Sequence, residues 1–279
     1  MTVALRMHAY GVTANFMDEY VRIAKSTAMM SLKKFVAMVV AIFSKEYLRS
    51  PNNEDIAKLL AHGQNCGFPS MLRSIDCMYW KWKNCPAAWK WMSNNDINVL
   101  ERSHIFFELA QGHTPVVNYS INGHDYTMGY YLANVIYPKW LTFVKTILAP
   151  LGQKRKLFAK AQKAYMKDVE CAFRVLQARF AIARGPIWFF YHEMLQDIMK
   201  ACIILHNMVI EDERDEAKVV DLDYEQSDEI SCIPMSQKPT NEFMEFIQVH
   251  RCIRNRDQEV HSQLQMNLVE HLWQLQGES

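Results

Sequence analysis

The sequence predicts an α/β layered domain, preceded by a helical region and followed by a helical tail. Three observations carry that prediction. Residues 71–80, MLRSIDCMYW, form an apolar run of strand length that ends at KNCP. Residues 116–138, VVNYSINGHDYTMGYYLANVIYP, alternate apolar and polar side chains around Asn122-Gly123, a two-residue hairpin signal, and continue into a strand, YYLA, closed by Pro138. Residues 154–184 and 194–213 then repeat apolar side chains at helical spacing. Strands followed by long helices around one sheet make a layered α/β domain.

Taken in order, residues 1–65 read as a helical N-terminal region. MDEYVRIAKS, SLKKFVAMVVAIFSKEYL and NNEDIAKLLAHG each place apolar residues three to four apart, with Asn53 as an N-cap and Gly63 as a stop for the third. The longest apolar run, residues 35–43, is nine residues, short of the roughly 20 that span a bilayer, so a buried helix is expected and no membrane partner. The first residues lack a basic region followed by an apolar block, so no secretory leader is expected. Residues 66–210 form the α/β domain, and its first long helix puts Val169, Phe173, Leu176 and Phe180 on one face. Residues 211–240 read as an acidic linker. Residues 241–279 read as an amphipathic helix with Leu264, Leu268, Leu272 and Leu275 on one side, suited to homo-oligomer association. The seven cysteines form no CxxC pair, which argues against a zinc ribbon or a disulfide framework and for reduced thiols in an intracellular protein.

The whole-chain charge of +1 hides an asymmetry. Residues 211–229 hold ten acids and two bases, net −8, so the rest of the chain carries +9. Residues 154–184 hold nine Lys or Arg against Asp168 and Glu170. Lys154, Arg155, Lys156, Lys160, Lys163, Lys167, Arg174 and Arg179 are the candidate nucleic-acid contacts, because such density suits a polyanion. A solvated helix face has the same composition.

Three acids draw attention for a different chemistry. Asp76 follows an apolar strand, Asp96 heads DINVL, and Glu170 lies in the basic helix. Converging carboxylates can hold two Mg²⁺ or Mn²⁺ ions about 3.5–4 Å apart, the arrangement that cleaves and joins phosphodiesters. Each acid also has an ordinary reading: Asp96 as an N-cap, Glu170 paired with Arg174 one turn on, Asp76 as a turn acid. Cys202 and His206 share a helix face at metal-binding spacing without a partner pair, and a core role fits them better. Trp80 and Trp82 alternate with Lys81 and Lys83 like a stacking and phosphate surface, or equally like core aromatics.

Five strings decide among these readings: GFPSMLRSIDCMYWKWKNCPAAWK, SNNDINVLERS, INGHDYTMGYYLANVIYPKW, KRKLFAKAQKAYMKDVECAFRVLQARFAIARGP and DIMKACIILHNMVIEDE. Together they closely resemble the plant PIF/Harbinger transposases and their domesticated relatives, over most of residues 4–215. The resemblance implies an RNase H-like DDE domain that cuts DNA with divalent metal in the nucleus, beside a Myb/SANT-like partner protein. It assigns the family acids to Asp76, Asp96 and Glu170 as catalytic and metal-holding residues.

Two departures stand out. A family aspartate of the D-x-x-YP motif is replaced by Asn134, and only 19 residues, 77–95, separate Asp76 from Asp96. The family spacer carries two strands that pair with the first; here the chain is shortened between residues 90 and 93. The strand bearing Asp76 is then expected to become a sheet edge. Two functions follow from these features: a metal-dependent nuclease weakened in this copy, or a DNA- or protein-binding nuclear factor without catalysis.

Overall fold

The structure, a computed structural model, describes residues 2–78, 80–85, 116–135, 137, 142–186, 191–216 and 241–277. Asp96, Trp89, Trp91 and Pro138 lie outside these residues. The described chain is a mixed α/β protein. Helices α1 (Thr2–Tyr10), α2 (Ala14–Val21), α3 (Lys25–Tyr47) and α4 (Asn53–Asn65) precede strand β1 (Met71–Ile75). Strands β2 (Val116–Ile121), β3 (His124–Met128), β4 (Tyr130–Ala133) and β5 (Phe143–Lys145) follow. Helices α5 (Gln153–Arg179), α6 (His192–Glu216) and α7 (Asn241–Gly277) complete the order.

Helix α4 starts one residue earlier than the sequence reading. Asn52, not Asn53, is the cap: its side chain accepts from the Asp55 N–H while the Asp55 carboxylate accepts from the Asn52 N–H. This reciprocal box satisfies two otherwise orphaned donors. Gly63 does not stop the helix, which runs on to Asn65. Its role is clearance, since a Cβ there would lie 2.8 Å from the Met71 carbonyl oxygen and 2.9 Å from that of Phe68. The helix therefore lies tight against the entry to β1.

Strand β1 ends at Ile75 rather than Trp80. It pairs in parallel with β4, and β4 with β5, giving a three-stranded sheet in the order β1-β4-β5. Among the described residues β1 is an edge. Strand β4 has Tyr130, Leu132 and Ala133 fully buried, as a strand covered on both faces requires. Strands β2 and β3 form a separate antiparallel hairpin. Asn122 and Gly123 hold φ of 51° and 78°, the left-handed pair that a two-residue turn of this kind demands.

Among the described residues three hydrophobic clusters form, the smallest being Ala133, Tyr137 and Phe143, and the other two are the main cores. In the first, α1, α2 and α3 pack with α6 and the end of α5 through Met17, Leu32, Val36, Leu176, Ile198 and Ile204. Helix α3 is long and apolar enough to cross a membrane. Here its Ala28, Leu32, Val36 and Val39 face the core, and Lys33, Lys34 and Lys45 are exposed. The second core joins the sheet, α5 and α7 through Phe68, Leu132, Val144, Phe158, Leu264 and Leu268. Leu264, Leu268 and Leu272, read as an association face, are buried within the chain, whereas Leu275 is exposed. Gln265 of α7 also donates to the Lys145 carbonyl of β5 at 2.6 Å.

Helix α6 continues to Glu216, six residues into the stretch read as a linker. Acids near a helix C-terminus oppose its dipole. Two of them have partners here: Glu213 takes two hydrogen bonds from Arg179, both at 2.6 Å, and Glu211 accepts from the Tyr47 hydroxyl at 2.6 Å.

Candidate functional site

The β1–β4 register pairs Ile75 with Ala133. The next residue on each strand is therefore Asp76 on one and Asn134 on the other, side by side at the carboxyl ends of neighbouring parallel strands. Their local geometry is the same. Asp76 Oδ1 accepts from the Cys77 N–H at 2.9 Å, and Asn134 Oδ1 accepts from the Val135 N–H at 2.7 Å. Each strand thus ends in a side chain folded back on its own exit. The exits are tied together by Cys77 Sγ, 3.1 Å from the Tyr137 hydroxyl. Tyr137 is buried against Phe143, ring centroids 5.9 Å apart, and its N–H donates to the Asn134 carbonyl at 3.2 Å.

Helix α5 packs across β1 and β4 and carries Glu170. Glu170 pairs with Arg174 at 3.6 Å, one turn on, and stays half exposed. Among the described residues no three His, Cys, Asp or Glu side chains gather in a metal-sized cluster. Mg²⁺ or Mn²⁺ wants converging hard oxygens with negative charge. Among the described residues the donors are one carboxylate, Asp76, one amide, Asn134, beside it, and Glu170 already facing an arginine; Asp96, the third acid, lies outside them.

The basic helix is sorted by its partners. Lys154 pairs with Glu270 of α7 at 2.6 Å, on the wall of an open groove of about 560 Å³ between the start of α5 and α7. Arg174 pairs with Glu170. Arg179 is held by Glu213, with the His206 Nδ1 3.3 Å away. Desolvation first, and then the Arg179 charge, hold His206 below its ordinary pKa. Arg155, Lys156, Lys160, Lys163 and Lys167 are exposed and make no ion pair among the described residues.

The other candidates resolve as structure. Trp80 Nε1–H donates to the Ile182 carbonyl at 3.1 Å, and the ring packs on the helical core, so it is no stacking platform. Trp82 lies 6.5 Å from the His192 ring. Cys202 is buried with its Sγ 3.4 Å from His8 Nε2, a pair that sequence reading missed. The signal was faint: His8 follows Met7 in a short helix whose apolar spacing is shared by many surface histidines. Burial lowers His8 to about 4 and pushes the Cys202 thiol up to about 12, so both are neutral across the physiological range.

Fold and site together define an α/β protein whose parallel strands end in an acid–amide pair, with a basic helix lying across them. Residues 45–92 and 91–217, more than half of the chain, match the family described as plant transposon protein, and the chain belongs to that family. The two matched segments meet at residues 91–92, inside the short spacer between Asp76 and Asp96. No curated protein and no solved structure matches the chain.

Proposed function

We propose that this chain derives from a Harbinger-type transposase with an RNase H-like DDE core, and that it has kept DNA binding while losing strand cleavage. The observation that carries the reading is Asn134 beside Asp76 at the ends of β1 and β4. An amide offers an oxygen without charge, so the pair has half the negative charge that two carboxylates would give a divalent cation. Support for the parent fold comes from the all-parallel order β1-β4-β5 and from a long helix bearing Glu170 across β1 and β4. Among the described residues β1 is an edge, and the family match falls in two pieces meeting at 91–92; both fit a core that lacks the two strands of the spacer. The nuclear setting and a Myb/SANT-like partner that helps in recognising DNA belong to the same proposal.

A competing reading keeps the enzyme active through Asp76, Asp96 and Glu170 with Mg²⁺ or Mn²⁺, since all three acids are present in the chain. Incubating the purified protein with supercoiled plasmid and either metal separates the two. The expected result is no metal-dependent nicking by the wild type. Robust Mg²⁺-dependent nicking that Asp76→Ala abolishes would overturn the proposal.

A further inference from the structure

We infer that Lys156, Lys160, Lys163 and Lys167 form a single phosphate-tracking row that binds the backbone of duplex DNA without reading its sequence; the inference rests on the DNA-binding function proposed above. The four residues are separated by four, three and four positions. At 100° and 1.5 Å per residue they fall within an arc of about 60° and along a line of about 16 Å. All four are exposed, while Phe158, Gln162 and Met166 on the other side of α5 are buried and anchor the helix. Like charges at three- and four-residue spacing repel one another. No acid interrupts the row between Lys156 and Lys167, and the described residues supply no ion-pair partner. The row ends where Glu170 and Arg174 cancel each other.

The chemistry of the row selects its partner. Protein interfaces are depleted in lysine and anchored by aromatic and arginine side chains, and the row contains neither. Single strands are held by aromatic stacking, and no aromatic residue lies between the lysines on this arc. Duplex DNA carries a negative charge about every 1.7 Å of its axis, so a line of about 16 Å runs beside enough phosphates to occupy all four lysines. Lysine is a point charge without the forked geometry that reads guanine, so binding by the row is independent of sequence. Lys154, Arg174 and Arg179, though equally basic in sequence, are occupied by Glu270, Glu170 and Glu213 and lie outside the footprint.

The test is fluorescence anisotropy with the full chain and a mixed-sequence DNA duplex, titrated across salt concentrations. One variant replaces the row, Lys156→Gln, Lys160→Gln, Lys163→Gln and Lys167→Gln. A second removes the same charge elsewhere, Lys33→Gln, Lys34→Gln, Lys45→Gln and Lys58→Gln, all exposed. The row variant is expected to lower the slope of log K against log salt by about 3 to 4, near 0.9 for each lost phosphate contact. The second variant is expected to keep the wild-type slope. Equal losses in the two variants would show that net charge alone binds, and would overturn the row while leaving DNA binding in place. No binding by the wild type at low salt would overturn DNA binding itself, and the row with it.

Discussion

The helical half of the molecule and the sheet half treat polar chemistry in opposite ways. Around α1, α3 and α6, the polar pair His8 and Cys202 is turned inward, between the rings of Phe35 and Phe180, and burial keeps both neutral. Around the sheet and α5, the lysines along the helix are turned outward, while a half-buried Asp76 and an exposed Asn134 stand at the strand ends. A buried ionisable group is bound to folding through its pKa, whereas an exposed charge contributes little to stability and stays available to a partner. Within the sheet half there is a second difference. A metal site depends on converging charges and fails when one ligand changes. A lysine row is additive and loses strength by steps.

The comparison can be broken in four places, the largest effect first. Leu268 is fully buried where α7 docks on the sheet. Leu268→Ala is expected to cost about 2–5 kcal/mol in urea unfolding. A cost below about 1 kcal/mol would mean that α7 does not complete the sheet core.

Next comes the acid response of the helical half. His8 in the folded chain sits at about 4 against an ordinary 6.5, because burial disfavours its charged form. The unfolded chain therefore takes up the proton first as pH falls. Stability from this site is complete above pH 6.5 and is lost between 6.5 and about 4, amounting to about 3 kcal/mol. Comparing chemical melts of wild type and His8→Leu across that window should show a shallower loss in the variant. It should not vanish, because His206 and His271 are lowered as well. Identical pH profiles would place His8 in water.

Third, Asn134→Asp sets two carboxylates on adjacent strand ends, about 5 Å apart at the backbone. It should lower the melting free energy by about 1 kcal/mol without metal, and Mn²⁺ should reverse the loss by binding the folded form. A variant indifferent to Mn²⁺ would show that charge alone does not rebuild the site. The smallest effect is that of Lys163→Gln on folding, a stabilisation of about 0.2–0.5 kcal/mol as repulsion with Lys160 and Lys167 falls. A destabilisation above 1 kcal/mol would mean that Lys163 has a partner in the fold.

Much of the local structure was legible in the sequence. Asn122-Gly123 marked its own turn, YYLA was a strand to the residue, and the helix expected over 154–184 is α5, which ends at Arg179 with Leu176 buried on it and Phe180 just beyond its end. These are features set by neighbours a few positions apart. The cap of α4 was missed by one residue, because Asn52 and Asn53 look alike until the Asp55 carboxylate chooses between them. The leucines of α7 looked like an association face, since periodicity marks an apolar stripe without naming what covers it. Of the proposed site, the departure at Asn134 was readable, but not its position beside Asp76.

The sequence by itself determined which groups the molecule owns: the family strings, the amide in place of an acid, the short spacer and the density of base in α5. Only the tertiary structure decided which of them meet. Parallel pairing of residues 58 positions apart, Ser74 with Leu132 and Ile75 with Ala133, put Asp76 next to Asn134. Glu213 and Glu270, 34 and 116 residues from their partners, withdrew Arg179 and Lys154 from the basic helix. Coulomb attraction and strand pairing act through space, and distance in space between remote residues is set only when the cores close.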